Sequence, residues 1–253
     1  MFKLFRVVIL LFILFVVGAG TVLTKWRSTS WKRPQQVAVY PLNADGRPQT
    51  QQYIAGLTTE SFAPVTAFFE REAKHYQLPI GDPVYLKLGP QIQQLPPEQP
   101  AEGRLAIMLY SLQLRWWAWK NDAMQGYRPD IRLFVLYHDP ALSPRLPHSL
   151  GLEKGQIGVV HAFADREMTG SNQVVMVHEL LHTLGATDKY GPGGLPSYPD
   201  GYADPERQPR YPQIHAEIMG GRIPMSPDQA RTPESLKLVL VGEVTAREIG
   251  WRR

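Results

Sequence analysis

Cysteine is absent from all 253 residues. Its absence excludes a disulfide scaffold, a Cys-based zinc finger, an iron–sulfur cluster and a cysteine nucleophile. It leaves the compartment open, because an exported protein needs no disulfide. Charge is also scarce: only 20% of residues are charged, against 43% hydrophobic and 10% aromatic, which excludes a disordered chain. The length suits one sizeable domain with its own core, or two small ones. Acidic residues are missing from positions 1–33, which carry Lys3, Arg6, Lys25, Arg27, Lys32 and Arg33. The overall net charge is +4 and the pI about 9.2. Setting those six aside leaves 21 basic against 23 acidic residues, a net −2 for residues 34–253. The basic character therefore belongs to the N-terminus, which argues against nucleic acid as a partner.

Val7 to Leu23 is a 17-residue run without a charged side chain, at the short end of what spans a bilayer, about 17–25 residues. Lys3 and Arg6 precede it, as in an export signal. Val17-Gly18-Ala19 would suit a signal-peptide cut, giving a secreted or periplasmic product. Trp26 and Trp31 lie among Lys25, Arg27, Lys32 and Arg33, which resembles an interfacial aromatic and basic belt. The preferred reading is an uncleaved membrane anchor over 1–33, a transmembrane helix through 7–23 and an extracytoplasmic domain.

Residues 34–57, with Pro, Gln and Asn, read as a linker. Residues 58–253 read as one α+β domain. Thr58 to Gln77 is expected as a helix, from Phe62, Val65, Phe69, Ala73 and Tyr76 at three- and four-residue steps. Strands are expected at Pro83–Leu88, Ile131–Tyr137 and Gln156–Phe163. Glu102 to Leu114 fits one helical face through Leu105, Met108, Leu109 and Leu112, whereas Arg115 to Lys120 (RWWAWK) looks more like a strand. The Trp116, Trp117, Trp119 cluster reads as core. A helix is expected over Ser171–Leu184 and a short one from about Thr245 to Gly250. Nine prolines between Asp188 and Pro233 break regular structure, and so long an irregular stretch points to function or disorder.

The Ser171–Leu184 helix contains His178-Glu179-Leu180-Leu181-His182. Two His four residues apart lie about 40° apart around a helix and about 6 Å along it, so both imidazoles reach one ion. Glu179 flanks that face, where it can serve as base toward an attacking water. Gly185 can take positive φ and reverse the chain, and Asp188 can then present a carboxylate as third ligand to Zn²⁺. With 7 His and 13 Glu in the chain, an HExxH is expected by chance about 0.01 times; with Gly and His or Asp added at their spacing, the figure is on the order of 6 in 100,000.

HELLHTLGATD resembles the metzincin zinc-peptidase pattern HExxHxxGxxH/D, in the snapalysin-like variant with Asp as third ligand. Glu217-Ile218-Met219-Gly220 matches the methionine turn of that group, with Met219 as its methionine and Val244–Trp251 as terminal helix. The resemblance covers roughly residues 156–251. It implies a two-lobed, zincin-like domain: a twisted mixed sheet and an active-site helix, then an irregular C-terminal half. It further implies an endopeptidase with one catalytic zinc, held by His178, His182 and Asp188. Glu179 would be the general base, and a peptide or protein substrate would lie along an edge strand, here Gln156–Phe163. We expect such an enzyme to be monomeric. Many metzincins carry Tyr two residues after the methionine, where this chain has Gly221; Tyr190 is the candidate for oxyanion support.

Other ligand sets remain open on the residues alone. His215 is a spare imidazole, and Glu206 or Glu217 would be needed in a gluzincin, though neither lies in a helical stretch. An aspzincin-like arrangement places its Asp much farther from the HExxH. His75, His138, His148 and His161 have no ligand spacing, and Asp200, Asp204 and Glu206 read as a solvated loop rather than a calcium site. The function expected is hydrolysis of peptide bonds. The alternative is a catalytically silent zinc protein that binds an envelope partner through its Pro-rich segment.

Overall fold

The computed structural model describes residues 5–7, 11–12, 29–100, 103–124 and 126–252. Its centre is a five-stranded sheet in the order β2-β1-β3-β5-β4. The strands are β1 (Gln35–Asn43), β2 (Val84–Leu88), β3 (Ile131–His138), β4 (Leu150–Leu152) and β5 (Ile157–Phe163). β1 pairs in parallel with β2 and β3, and β3 with β5; β4 runs antiparallel to β5. The protein is thus α+β with a mixed sheet.

Both faces of the sheet are covered. Val37, Val39, Ile131, Leu133, Val135 and Val160 join one core, with Val65, Phe68 and Phe69 from helix α2 (Ala63–His75) and Val177, Leu180 and Leu181 from α4 (Thr169–Thr183). The alternate residues Ala38, Tyr40, Phe134, Leu136 and Val159 join a second core, with Tyr110, Leu114, Trp117 and Ala118 from α3 (Arg104–Lys120). Period-two alternation serves two apolar layers here, so the strands read as continuous apolar runs rather than as amphipathic ones. A short helix α1 (Pro48–Ala55) follows β1, and α5 (Glu243–Glu248) closes the chain. Between α4 and α5, where prolines interrupt regular structure, lie short 3-10 turns and four two-residue strands in two small sheets, β6 (Ala216–Glu217) with β9 (Val239–Leu240) and β7 (Ile223–Pro224) with β8 (Ala230–Arg231).

Four expectations are corrected. The stretch 34–57, expected as linker, supplies β1, which lies between β2 and β3, and α1. Pro41 is tolerated inside β1 because odd-numbered residues of that strand bond toward β2, as Val39 O does to Gly89 N–H. β2 pairs only as far as Val39, so the missing N–H of Pro41 falls beyond its end. Second, Arg115–Lys120 is helical: Tyr110, Leu114, Trp117 and Ala118 recur at three- and four-residue steps and seat α3 on the sheet. Only Trp117 of the three tryptophans is core, while Trp116 and Trp119 are exposed.

Third, β5 is not the edge strand. It lies between β3 and β4, and past β4 its outward groups are also taken. Ser149 Oγ accepts from His161 N–H, and the Asn172 amide pairs with both the N–H and the C=O of Phe163. The edge strand on this side of the sheet is β4. Fourth, the expected transmembrane helix is overturned: among the described residues no helix is long and apolar enough to cross a membrane. Of the run 7–23 only Val7, Leu11 and Phe12 are described, and Val17-Gly18-Ala19 and Trp26 lie outside the described residues. Trp31, expected in an interfacial belt, is buried instead. Its indole N–H donates to Ile249 O at 2.7 Å, and its ring meets Trp251 edge-on at 5.5 Å. Arg33, from the same expected belt, forms a two-pronged ion pair with Asp130.

Candidate metal centre

Helix α4 lies against β5 and β4 with Val177, Leu180 and Leu181 buried. Its last two turns hold His178 and His182. The helix ends in a Schellman arrangement: Gly185 N–H bonds to His182 O and Ala186 N–H to Leu181 O, with Gly185 at φ +100°. A side chain at 185 would be strained there. The reversal returns the chain so that Asp188 faces the histidines it follows.

Three atoms able to serve as metal ligands converge. His178 Nε2 and His182 Nε2 are 3.1 Å apart, and Asp188 Oδ1 lies 3.1 Å and 3.0 Å from them. Tetrahedral zinc with donors at 2.0–2.1 Å would separate its ligand atoms by roughly 3.3 Å. The outward ring nitrogens are occupied: His178 Nδ1 donates to Ile218 O at 2.9 Å and His182 Nδ1 to Ala186 O at 2.8 Å. A carbonyl can only accept, so Nδ1 carries the hydrogen in each ring and Nε2 of the neutral imidazole presents a lone pair. Two such nitrogens and a carboxylate oxygen repel one another unless a cation sits among them. Without a cation, a proton shared among the three groups relieves that repulsion. Burial would raise the Asp188 carboxyl, but hydrogen bonds to His178 and His182 hold it well below the usual range. Burial would lower His178, yet Asp188, Glu179 and the Ile218 carbonyl leave it raised. Among the described residues no other such group of three His, Asp or Glu converges. His215, Glu206 and Glu217 are not part of this one, and Asp200, Asp204 and Glu206 form none.

Glu179 is buried beside these atoms, and its Oε2 has no hydrogen-bond partner. Burial lifts its carboxyl, against the opposing influence of His178, His182 and His148. An unpaired buried carboxylate oxygen is costly, so its retention marks a group that serves something other than packing. His148, which had no ligand spacing in sequence, is near enough to act on Glu179. The Tyr190 ring stacks 6.1 Å from the His178 ring, and its hydroxyl is pushed up to about 12, by burial first and then by Asp188.

Beneath the candidate ligands runs the 217–221 turn, closed by Gly221 N–H to Glu217 O. Gly221 has φ +71°, which explains glycine at this position. Ile218 supplies the carbonyl for His178, and Met219, fully buried, supplies one for Lys189 N–H. Glu217 is also fully buried, and its two oxygens accept from Gly220 N–H, Gly242 N–H and Thr245 Oγ1. It ties the turn to the start of α5.

Two further residues went unnoticed in the sequence. Lys189 is 6% exposed, and its Nζ donates to Thr187 O, Thr187 Oγ1 and Glu248 Oε2. Glu248 of α5 also accepts from Thr187 N–H and Thr187 Oγ1. These bonds brace Asp188 from both sides. The only local hint was a lysine between an acid and a tyrosine; its partner lies 59 residues away. Comparison with family models and with curated proteins finds no match for this chain.

Proposed function

We propose that the chain is a zinc-dependent endopeptidase of metzincin type. The observation that carries this is the convergence of three lone-pair ligand atoms, 3.0–3.1 Å apart, beside a buried carboxylate oxygen without a partner. His178, His182 and Asp188 would hold the ion. Zinc, when bound, supplies a Lewis acid that brings the pKa of water toward 7 and polarises the scissile carbonyl. Glu179 Oε2 takes the proton of the attacking water and delivers it to the leaving nitrogen. Tyr190, stacked on His178 at the rim of the site, donates toward the carbonyl oxygen as negative charge develops. Met219 supports the ligands by packing and through its carbonyl, not by coordination.

The edge strand suits an extended substrate. β4 crosses α4 so closely that a Cβ at Gly151 would lie 2.4 Å from Glu179 O and from His182 Cβ. A peptide added beside β4 would use main-chain hydrogen bonds for affinity and would run past the metal ligands. The twisted sheet with its helices and the irregular segment 188–241 then form the two lobes on either side of that path.

The purified full chain should contain about one zinc. It should cleave a mixed peptide library, with loss of cleavage on chelation and recovery on adding zinc. A chain without metal, or with chelator-insensitive cleavage, would exclude this reading. The brace behind Asp188 gives a milder expectation. Glu248→Gln should weaken zinc binding about 10–100-fold, measured by competition with a chromophoric chelator. Unchanged affinity would show that the brace does not position the ligand.

A further inference from the structure

Helix α3 is apolar on two opposite sides. Tyr110, Leu114, Trp117 and Ala118 face the sheet. At 100° per residue, Leu105, Met108, Leu109, Leu112, Trp116 and Trp119 fall within an arc roughly 100° wide, centred opposite that buried face. All six are exposed, Leu105 and Trp119 at 75%. Scattered apolar residues on a surface are ordinary, but a contiguous stripe of six is the kind of patch that marks an interaction site. The stripe runs about 20 Å along the helix.

The flanks identify the occupant. Arg104 to Lys120 contains no acidic residue. Lys120 falls on one flank of the stripe, with its ammonium 5.5 Å from the centre of the Trp116 ring. Arg115 falls on the other flank, partly buried and hydrogen-bonded to Ser111. Exposed Tyr85 and Lys87 lie beside Tyr127, which packs into the same core as α3. Apolar stripe, tryptophans and flanking bases together match a bilayer interface, where aromatic rings sit at headgroup level and basic side chains reach anionic lipids. The stripe carries no acidic or polar side chain that would oppose an apolar surface bearing negative charge.

We propose that α3 is an interfacial helix that lies on, and does not cross, an anionic lipid surface. The inference rests on α3 alone and is independent of the metal-site reading.

The absence of cysteine makes the test direct, because one introduced thiol takes one label. Full chains carrying Met108→Cys or Leu112→Cys, each with a nitroxide, are mixed with vesicles of phosphatidylcholine alone or with added phosphatidylglycerol. With the anionic vesicles, both labels should gain access to oxygen and lose access to a water-soluble nickel complex, reporting a depth of roughly 5–10 Å. A label at Gln229→Cys should stay aqueous. The readout is local, so other apolar parts of the chain do not contribute to it. Lys120→Gln should lower the immersed fraction roughly fivefold. Labels that stay aqueous in vesicle-bound protein would overturn the proposal. So would labels that lose access to both reagents without lipid, the sign of a second copy or a protein partner on the stripe.

Discussion

Glu179→Gln should leave about one zinc per chain while lowering kcat/KM for peptide cleavage by about 10²–10⁴-fold or more. The two parts of this expectation have separate physical origins. Metal retention follows because Glu179 supplies none of the three converging atoms, which come from His178, His182 and Asp188. Gln has nearly the same shape and keeps an acceptor oxygen, so the packing of Leu180 and Leu181 around the turn is undisturbed. The amide, however, takes no proton at neutral pH. Both transfers assigned to Oε2, from water and to the leaving amine, are lost together. Zinc content by atomic absorption and cleavage by mass spectrometry separate the outcomes. A Gln variant that cleaves as fast as the native chain would remove Glu179 from the mechanism. A Gln variant that loses its zinc would show that the buried oxygen serves the ligand set instead.

Asp188→Asn should abolish stoichiometric zinc binding, with cleavage lost in parallel. The amide matches the carboxylate in size, so the Schellman reversal at Gly185 and the brace through Thr187, Lys189 and Glu248 should persist. The change is therefore one of charge and basicity. Two neutral imidazoles and a carboxylate bring one negative charge toward the divalent ion, and two imidazoles with an amide bring none. The loss should exceed the 10–100-fold expected for an outer partner such as Glu248. Equilibrium dialysis against zinc gives the number, and circular dichroism checks that the fold is kept. If Asp188→Asn binds zinc as tightly as the native chain, the third ligand is another group.

How far these features are legible in sequence depends on the span of the contacts behind them. His178, Glu179, His182, Gly185 and Asp188 fall within eleven consecutive residues. Helical geometry and one reversal settle their mutual positions, so spacing alone points to them. Lys189 and Glu248 act through a contact between distant segments, and neither carries a local pattern. The sheet shows the same division. β3 and β5 are apolar runs bounded by turn residues, whereas β1 opens on two glutamines and contains Pro41, and only the termination of β2 makes that proline harmless. In α3 the aromatic composition of RWWAWK favours a strand, and the seating of Leu114 and Trp117 against Phe134 decides for helix. The basic neighbours of Trp31 suggest an interface, while its partner is 218 residues away.

That same Trp31 closes a mechanical circuit. Its indole grips the Ile249 carbonyl, and Gly250 approaches Thr29 so closely that a Cβ there would lie 2.4 Å from Thr29 O. The next residue back, Glu248, holds Thr187 and Lys189 on either side of Asp188. The end of α5 therefore couples residues 29–31 to the loop of Asp188 through hydrogen bonds, in parallel with the covalent path into β1. The segment that leads into the fold and the loop that completes the candidate metal set are joined through the side chains of Trp31 and Glu248.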